Sequence, residues 1–179
     1  MRIIRGSLKG MRFKKMKSFN SRPTTDFAKE GLFNILENTI YLEGLNVLDL
    51  FAGLGSISFE FLSRGASSLT SVDLNHQSIK YIKANSQAHN LGDKHKVVQM
   101  DALQFILKDI GQFDFIFADP PYDFEKYDVL IDGIKSRKIL HSNGDLIIEH
   151  GKKTSLESLE GFQKVKAFGH VYFSFFNFD

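Results

Sequence analysis

Cysteine is absent from this chain, which excludes disulfides, thiolate metal sites and cysteine nucleophiles and suits a reducing compartment. No apolar run approaches the roughly 20 residues of a membrane span. The opening MRIIRGSLKG lacks the apolar core of a signal peptide, so a soluble, cytoplasmic protein is expected. The six histidines show no pair at metal-ligand spacing on a predicted helix, and no metal is expected. Acidic residues are missing from positions 1–22, which carry 8 of the 23 Lys and Arg; the rest of the chain sets 15 basic residues against 21 acidic ones, a charge of −6. Clustered Lys and Arg neutralise phosphates and release counterions, so a basic arm on an acidic body points to a polyanionic partner. Ile3, Ile4, Leu8, Met11 and Phe13 are set among the arm's charges with Gly6 and Gly10 as turn residues. That pattern predicts a short basic β-hairpin.

What is present beyond the arm alternates. Thr25 or Asp26 can cap a helix whose apolar face is Phe27, Leu32, Phe33, Ile35 and Leu36. Strands are expected at 46–51, 68–74, 96–100, 113–119 and 144–150, with helices after the glycine turn AGLGS, over about 77–89, over 102–108 and over 127–139. Two further β runs in FQKVKAFGHVYFSFFNF join at Gly169 and His170. Their aromatic residues, at strand spacing, are expected in the sheet core. Alternating strands and helices imply a mostly parallel sheet covered on both faces, here seven-stranded with an antiparallel C-terminal edge. No linker divides the chain after the arm, so residues 1–22 are expected to form an appendage and residues 23–179 a single α/β domain.

Proline is scarce, at 3 residues, yet two stand side by side in FADPPYDF. Proline fixes φ and pushes its predecessor toward extended geometry, so Asp119-Pro120-Pro121-Tyr122 makes a stiff loop at the carboxyl end of a strand. In open α/β sheets ligands bind beyond those ends. Four successive strands finish at or near an aspartate: Asp49 in DLFAGLG, Asp73, Asp101 and Asp119. Gly53 and Gly55 allow a sharp turn and close approach of a ligand. A third fingerprint glycine is missing, since Ser58 holds its position, and no lysine follows Gly55, so neither a dinucleotide nor a phosphate cradle is indicated. A crevice rich in acids suits a cationic nucleoside such as S-adenosylmethionine. Asp119 and the Pro120 carbonyl can accept the two N–H bonds of an exocyclic amine and aim its lone pair at a methyl group, a case of positioning and electrostatic preorganisation. Tyr122 offers a face on which a base can stack.

The motifs RPTTD…LFNIL, LDLFAGLGS, SRGA, DPPY and IIEH, in order after MRIIRG, closely resemble the RsmD family of bacterial 16S ribosomal RNA guanine-N2 methyltransferases, over nearly the whole chain. The resemblance implies a Rossmann-like methyltransferase fold, with residues 23–179 as the methyltransferase domain. It also implies that Asp49, Phe51, Gly53 and Gly55 line the methionine end of S-adenosylmethionine, that Asp73 binds the ribose, and that Asp101 with Ala102 binds the adenine. Asp119, Pro120 and Tyr122 would hold the target guanine, Arg22 and Thr24 would flank the catalytic mouth, and the arm (Arg2, Arg5, Lys9, Arg12, Lys14 and Lys15) would grip 16S rRNA, naked or in the small subunit. A monomer is expected. The chain departs from the family's usual pattern at Leu54, where serine is usual, at Phe27, where arginine is usual, and at Asp73, where many members carry glutamate. Two other readings use the same residues. A DNA adenine-N6 methyltransferase would share the DPPY clamp but would be expected to carry a target-recognition domain. A catalytically silent RNA-binding assembly factor would be free to lose Asp119 and the glycine turn.

Overall fold

The computed structural model describes residues 2–11, 13 and 25–178. Among the residues singled out above, Arg12, Lys14, Lys15, Arg22 and Thr24 lie outside the described part.

Thr25 opens the first helix, α1 (Asp26–Thr39), its side chain accepting the Ala28 N–H. This satisfies one of the donors a helix start leaves unpaired. Then β1 (Asn46–Leu50), α2 (Ser56–Ser63), β2 (Ser68–Asp73), α3 (His76–Ala88), β3 (His95–Gln99), α4 (Ala102–Ile106), β4 (Phe113–Ala118), α5 (Tyr127–Ser136) and β5 (Leu140–Gly151) alternate. The chain closes with β6 (Phe162–Phe168) and β7 (Val171–Phe176). The seven strands lie in the order β3-β2-β1-β4-β5-β7-β6. The first five are parallel, and β7 runs antiparallel between β5 and β6. The direction of winding reverses between β1 and β4, which opens a crevice at their carboxyl ends.

Period-two alternation divides the core into two layers. Val47, Phe115, Phe117, Phe173 and Phe175 pack with α1 and α2 on one face, while Leu48, Leu50, Ile116, Ala118 and Phe176 pack with α4 and α5 on the other. The aromatic run of β7 is therefore core, as its spacing predicts: Phe173 and Phe176 are fully buried. Asp49 shares the Val47 face and so points toward α2.

The expected N-terminal hairpin is corrected for the described residues. Residues 2–11 contain no strand; they form turns laid along α2. Gly6 and Gly10 do turn the chain, with φ of 89° and 81°. The donors a hairpin would need, however, go to α2. Glu60 accepts the N–H groups of Ile4 (2.9 Å) and Arg5 (3.1 Å), the Ser7 N–H reaches the Ser63 carbonyl (2.8 Å), and the Leu8 N–H reaches Ser63 Oγ (3.0 Å). A Cβ on Gly6 would fall 1.8 Å from the Ser63 oxygen, so only glycine allows this approach. Ile3 and Leu8 are buried in the α1–α2 core layer.

Candidate active site

A cavity of about 810 Å³ opens over the carboxyl ends of β1, β2, β3 and β4, within the usual size range of small-molecule sites. Asp49, Phe51, Gly53, Asp73, Asp101, Ala102, Asp119, Pro120 and Tyr122 all line it, joined by Glu149. Gly55 is buried just behind the wall and precedes α2.

The glycine turn after β1 is left-handed at three of five positions: Phe51 (φ 60°), Gly53 (54°) and Gly55 (74°). For a bulky residue such as Phe51 this conformation costs energy and persists only where surroundings enforce it, a feature common at ligand sites. Its ring is held edge-on to Phe124, 5.4 Å between centroids. Asp73 ties the turn to β2, one carboxylate oxygen accepting the Gly53 N–H and the other the Asn75 N–H, both at 2.7 Å. Each oxygen keeps acceptor capacity for a further hydroxyl, and Asp73 lines the crevice. Asp101 caps α4 by accepting the Gln104 N–H at 3.0 Å.

Asp49 forms the floor, 1% exposed. Burial raises its pKa to about 7; the Ser58 bond opposes the shift, and the negative charges of Asp73 and Glu149 add to it. Behind it a buried polar chain crosses the sheet. Ser58 Oγ donates to Asp49, Ser58 meets Ser71 Oγ at 2.6 Å, Ser71 meets His95 Nε2 at 2.7 Å, and His95 Nδ1 meets Ser86 Oγ. Burial lowers the His95 pKa to about 4, so the ring is neutral. One arrangement satisfies every member: Ser86 donates to Nδ1, Nε2–H to Ser71, Ser71 to Ser58, and Ser58 to Asp49. All the donors then point toward the Asp49 carboxylate. No local pattern marks this role for Ser58, which stands where a fingerprint glycine is missing, or for His95.

The Asp119–Tyr122 loop forms the opposite lip. The Asp119 N–H donates to the Leu50 carbonyl (3.2 Å), which fixes the loop to the end of β1, and the Phe124 N–H closes a turn on the Pro121 carbonyl (2.9 Å). Burial, then Glu149 and Asp49, push the Asp119 carboxyl well above the usual range. Tyr122 is 72% exposed, one edge of its ring close to Gly151. Glu149 faces the crevice while its neighbour His150 turns away to Ser174 Oγ (2.8 Å). Glu149, at the end of β5, thus supplies a fifth acid, which period-two alternation along that strand could have indicated.

Of the described arm residues, Arg2 and Lys9 are exposed and Arg5 pairs with Glu37 at 2.8 Å. Lys29 is absent from the sequence-derived set. It is fully buried, with Nζ bonded to Ser56 Oγ (3.1 Å) in the crevice wall and to the Arg2 carbonyl. The crevice as a whole sets five carboxyl groups and no Lys, Arg or His among its described lining residues. Chemically it can receive a cation on its floor, a diol beside Asp73, and a planar amine against Asp119.

The strand order and the acid-lined crevice at its switch point define a Rossmann-like methyltransferase. The Escherichia coli protein yhhF has this fold: its solved structure superposes with a TM-score of 0.87 over 100% of this chain and 98% of that one, at 24% identity. The chain belongs to the family described as Conserved hypothetical protein 95, whose model matches residues 1–177, the family that the RsmD motifs indicate. Among its relatives, YlbH of Bacillus subtilis is 35% identical over 164 residues, 90% of this chain and 88% of that one. The Haemophilus influenzae protein named Ribosomal RNA small subunit methyltransferase D is 32% identical over 169 residues, 93% and 86% of the two chains.

Proposed function

We propose that the protein transfers a methyl group from S-adenosylmethionine to the exocyclic N2 amine of a guanine in small-subunit (16S) ribosomal RNA. The observation that carries this is the Asp119-Pro120-Pro121-Tyr122 lip beside an acid floor. The small-subunit rRNA methyltransferase name of the Haemophilus influenzae relative supports the choice of RNA.

The donor set suits S-adenosylmethionine: the raised pKa of Asp49 marks a buried carboxyl group that lacks a cation. Asp49, Phe51, Gly53 and Gly55 hold the methionine end, Asp73 the ribose hydroxyls, and Asp101 with Ala102 the adenine. When bound, the cofactor supplies an electrophilic methyl group on a sulfonium. Tyr122 stacks the guanine, and Asp119 with the Pro120 carbonyl accepts its two N2–H bonds, so the nitrogen lone pair points into the crevice toward the acid floor. The rigid lip means these acceptors need no reorganisation as charge develops. After transfer the nitrogen sheds a proton, and Asp119, with its raised affinity for one, is the nearest base. The target base must leave its stack, at a cost of a few kcal/mol. Phosphate contacts from the arm of residues 1–22, namely Arg2, Arg5, Lys9, Arg12, Lys14 and Lys15, offset that cost, with Arg22 and Thr24 at the mouth.

Methylated guanines mapped in 16S rRNA from cells with and without the gene test the assignment. One N2-methylguanine should vanish in the deletion strain and return with the wild-type gene but not with Asp119→Ala. An unchanged guanine map together with a lost N6-methyladenine in DNA would contradict it.

A further inference from the structure

The structure places a second aromatic surface beside the lip. Phe27, on the first turn of α1, is 68% exposed, an unusual setting for so large an apolar ring, and it meets Phe168 edge-on at 6.0 Å. Phe168 is fixed from below. Its ring lies against Gly31, where a Cβ would fall 2.1 Å away, and it also contacts Phe173 of the core. A glycine inside a helix is less favourable than alanine, and here it makes room for the ring that supports Phe27.

Phe168 ends β6 at the same carboxyl edge of the sheet over which the crevice opens. Phe168 stands opposite Val171, Val171 opposite Gly151, and Gly151 against the Tyr122 ring. Two strand spacings, roughly 10 Å, therefore separate Phe168 from Gly151 at the lip. On the α1 side, Lys29 binds Ser56 of the crevice wall. Alternation along β6 sets Lys164 and Lys166 on the same face as Phe168, both exposed, running away from the rim along the edge strand. Exposed Asp26 and Glu30 flank Phe27 on α1. Those acids repel a phosphate from the ring and leave its face to a base, while the lysines farther along can meet phosphates.

We propose that Phe27, propped on Phe168, stacks a nucleobase flanking the target guanine, with Lys166 and Lys164 meeting the backbone beyond it. Phe27 is a substrate-positioning residue, and the proposal rests on the RNA reading above. The chain contains no tryptophan, so Phe27→Trp introduces a single indole at the site. Titrating that variant with a short guanine-containing single-stranded RNA should quench the indole as the base stacks on it. Phe27→Ala should weaken affinity for the same RNA about 5- to 140-fold, the range of one lost base–aromatic stack. S-adenosylmethionine affinity and melting temperature should hold, and Phe27→Tyr should restore binding. Equal RNA affinity for wild type and Phe27→Ala, or an indole unmoved by RNA that binds, would overturn the platform while leaving rRNA methylation by the wild type intact. A wild-type protein that neither binds nor methylates rRNA would defeat both readings.

Discussion

Two clusters of buried charge lie close together near α2 and are built on opposite principles. In one, Lys29 and Glu60 are both fully buried, with Nζ and Oε2 3.6 Å apart. Arg64 closes on the other Glu60 oxygen at 2.7 Å and lies over the Phe33 ring. Burial lowers the Lys29 pKa and the Glu60 charge counteracts it. Every charge there has an opposite partner, and the spare hydrogen bonds go to Arg2, Ile4, Arg5 and Ser56. That cluster fastens the N-terminal segment to α1 and α2. In the other, Asp49 and Asp119 line a crevice with no Lys, Arg or His among its described lining residues, and burial together with the negative charge of Glu149 holds both carboxyl groups toward protonation. A matched cluster is complete as folded. A cluster of one sign is complete only with a ligand of the other sign, and that contrast separates structure from site here.

Removing one partner of the matched cluster should have the largest effect. Lys29→Met leaves Glu60 buried with Arg64 as its remaining cation and should lower unfolding free energy by about 3 kcal/mol, read by denaturant titration. Lys29→Met with Glu60→Gln should recover part of that loss, because no buried charge is then stranded. In the acid cluster the corresponding loss should appear in rate and not in folding. Asp119→Ala should reduce methyl transfer about 10²- to 10³-fold while S-adenosylmethionine affinity stays close to wild type. Near-normal turnover would remove Asp119 from the clamp.

The smaller effect is on pH dependence. With a folded pKa of about 7 against an ordinary value of 3.8, Asp49 keeps its proton in the folded state where the unfolded chain has released it. Stability from this group is therefore present at acidic pH and falls as pH rises from about 4 to about 7, by up to ~1.4 kcal/mol per unit. Asp49→Asn should flatten that slope and leave the free protein more stable at pH 8, by at least about 1 kcal/mol. A slope unchanged by the substitution would place the titration elsewhere.

The acid cluster was largely legible in the sequence and the matched one was not. Asp49, Asp73, Asp101 and Asp119 stand at or just past the ends of strands whose apolar runs and alternation with helices give the topology, and a parallel sheet brings its strand ends to one side. Nothing local marks Lys29. It sits in an amphipathic helix where a lysine ordinarily faces water, and only the meeting of α1, α2 and residues 2–5 buries it. His95 is unmarked for a related reason: the side it faces depends on strand register, which is set by neighbours far along the chain. Residues 2–11 form turns and no strand: glycine spacing marks the turns but not which partner takes the backbone donors. Here Glu60 and Ser63 take them in place of a second strand.

Calorimetry of S-adenosylmethionine binding near pH 6.5, in buffers with different heats of ionisation, tests the central claim that the acid cluster awaits a cation. Binding a cation beside Asp49 favours its ionised form, so the account predicts that protons are released on binding. Affinity should strengthen as pH rises through about 7, and Asp49→Asn should abolish both effects. Binding with no buffer dependence and the same affinity at pH 6 and pH 8 would contradict it.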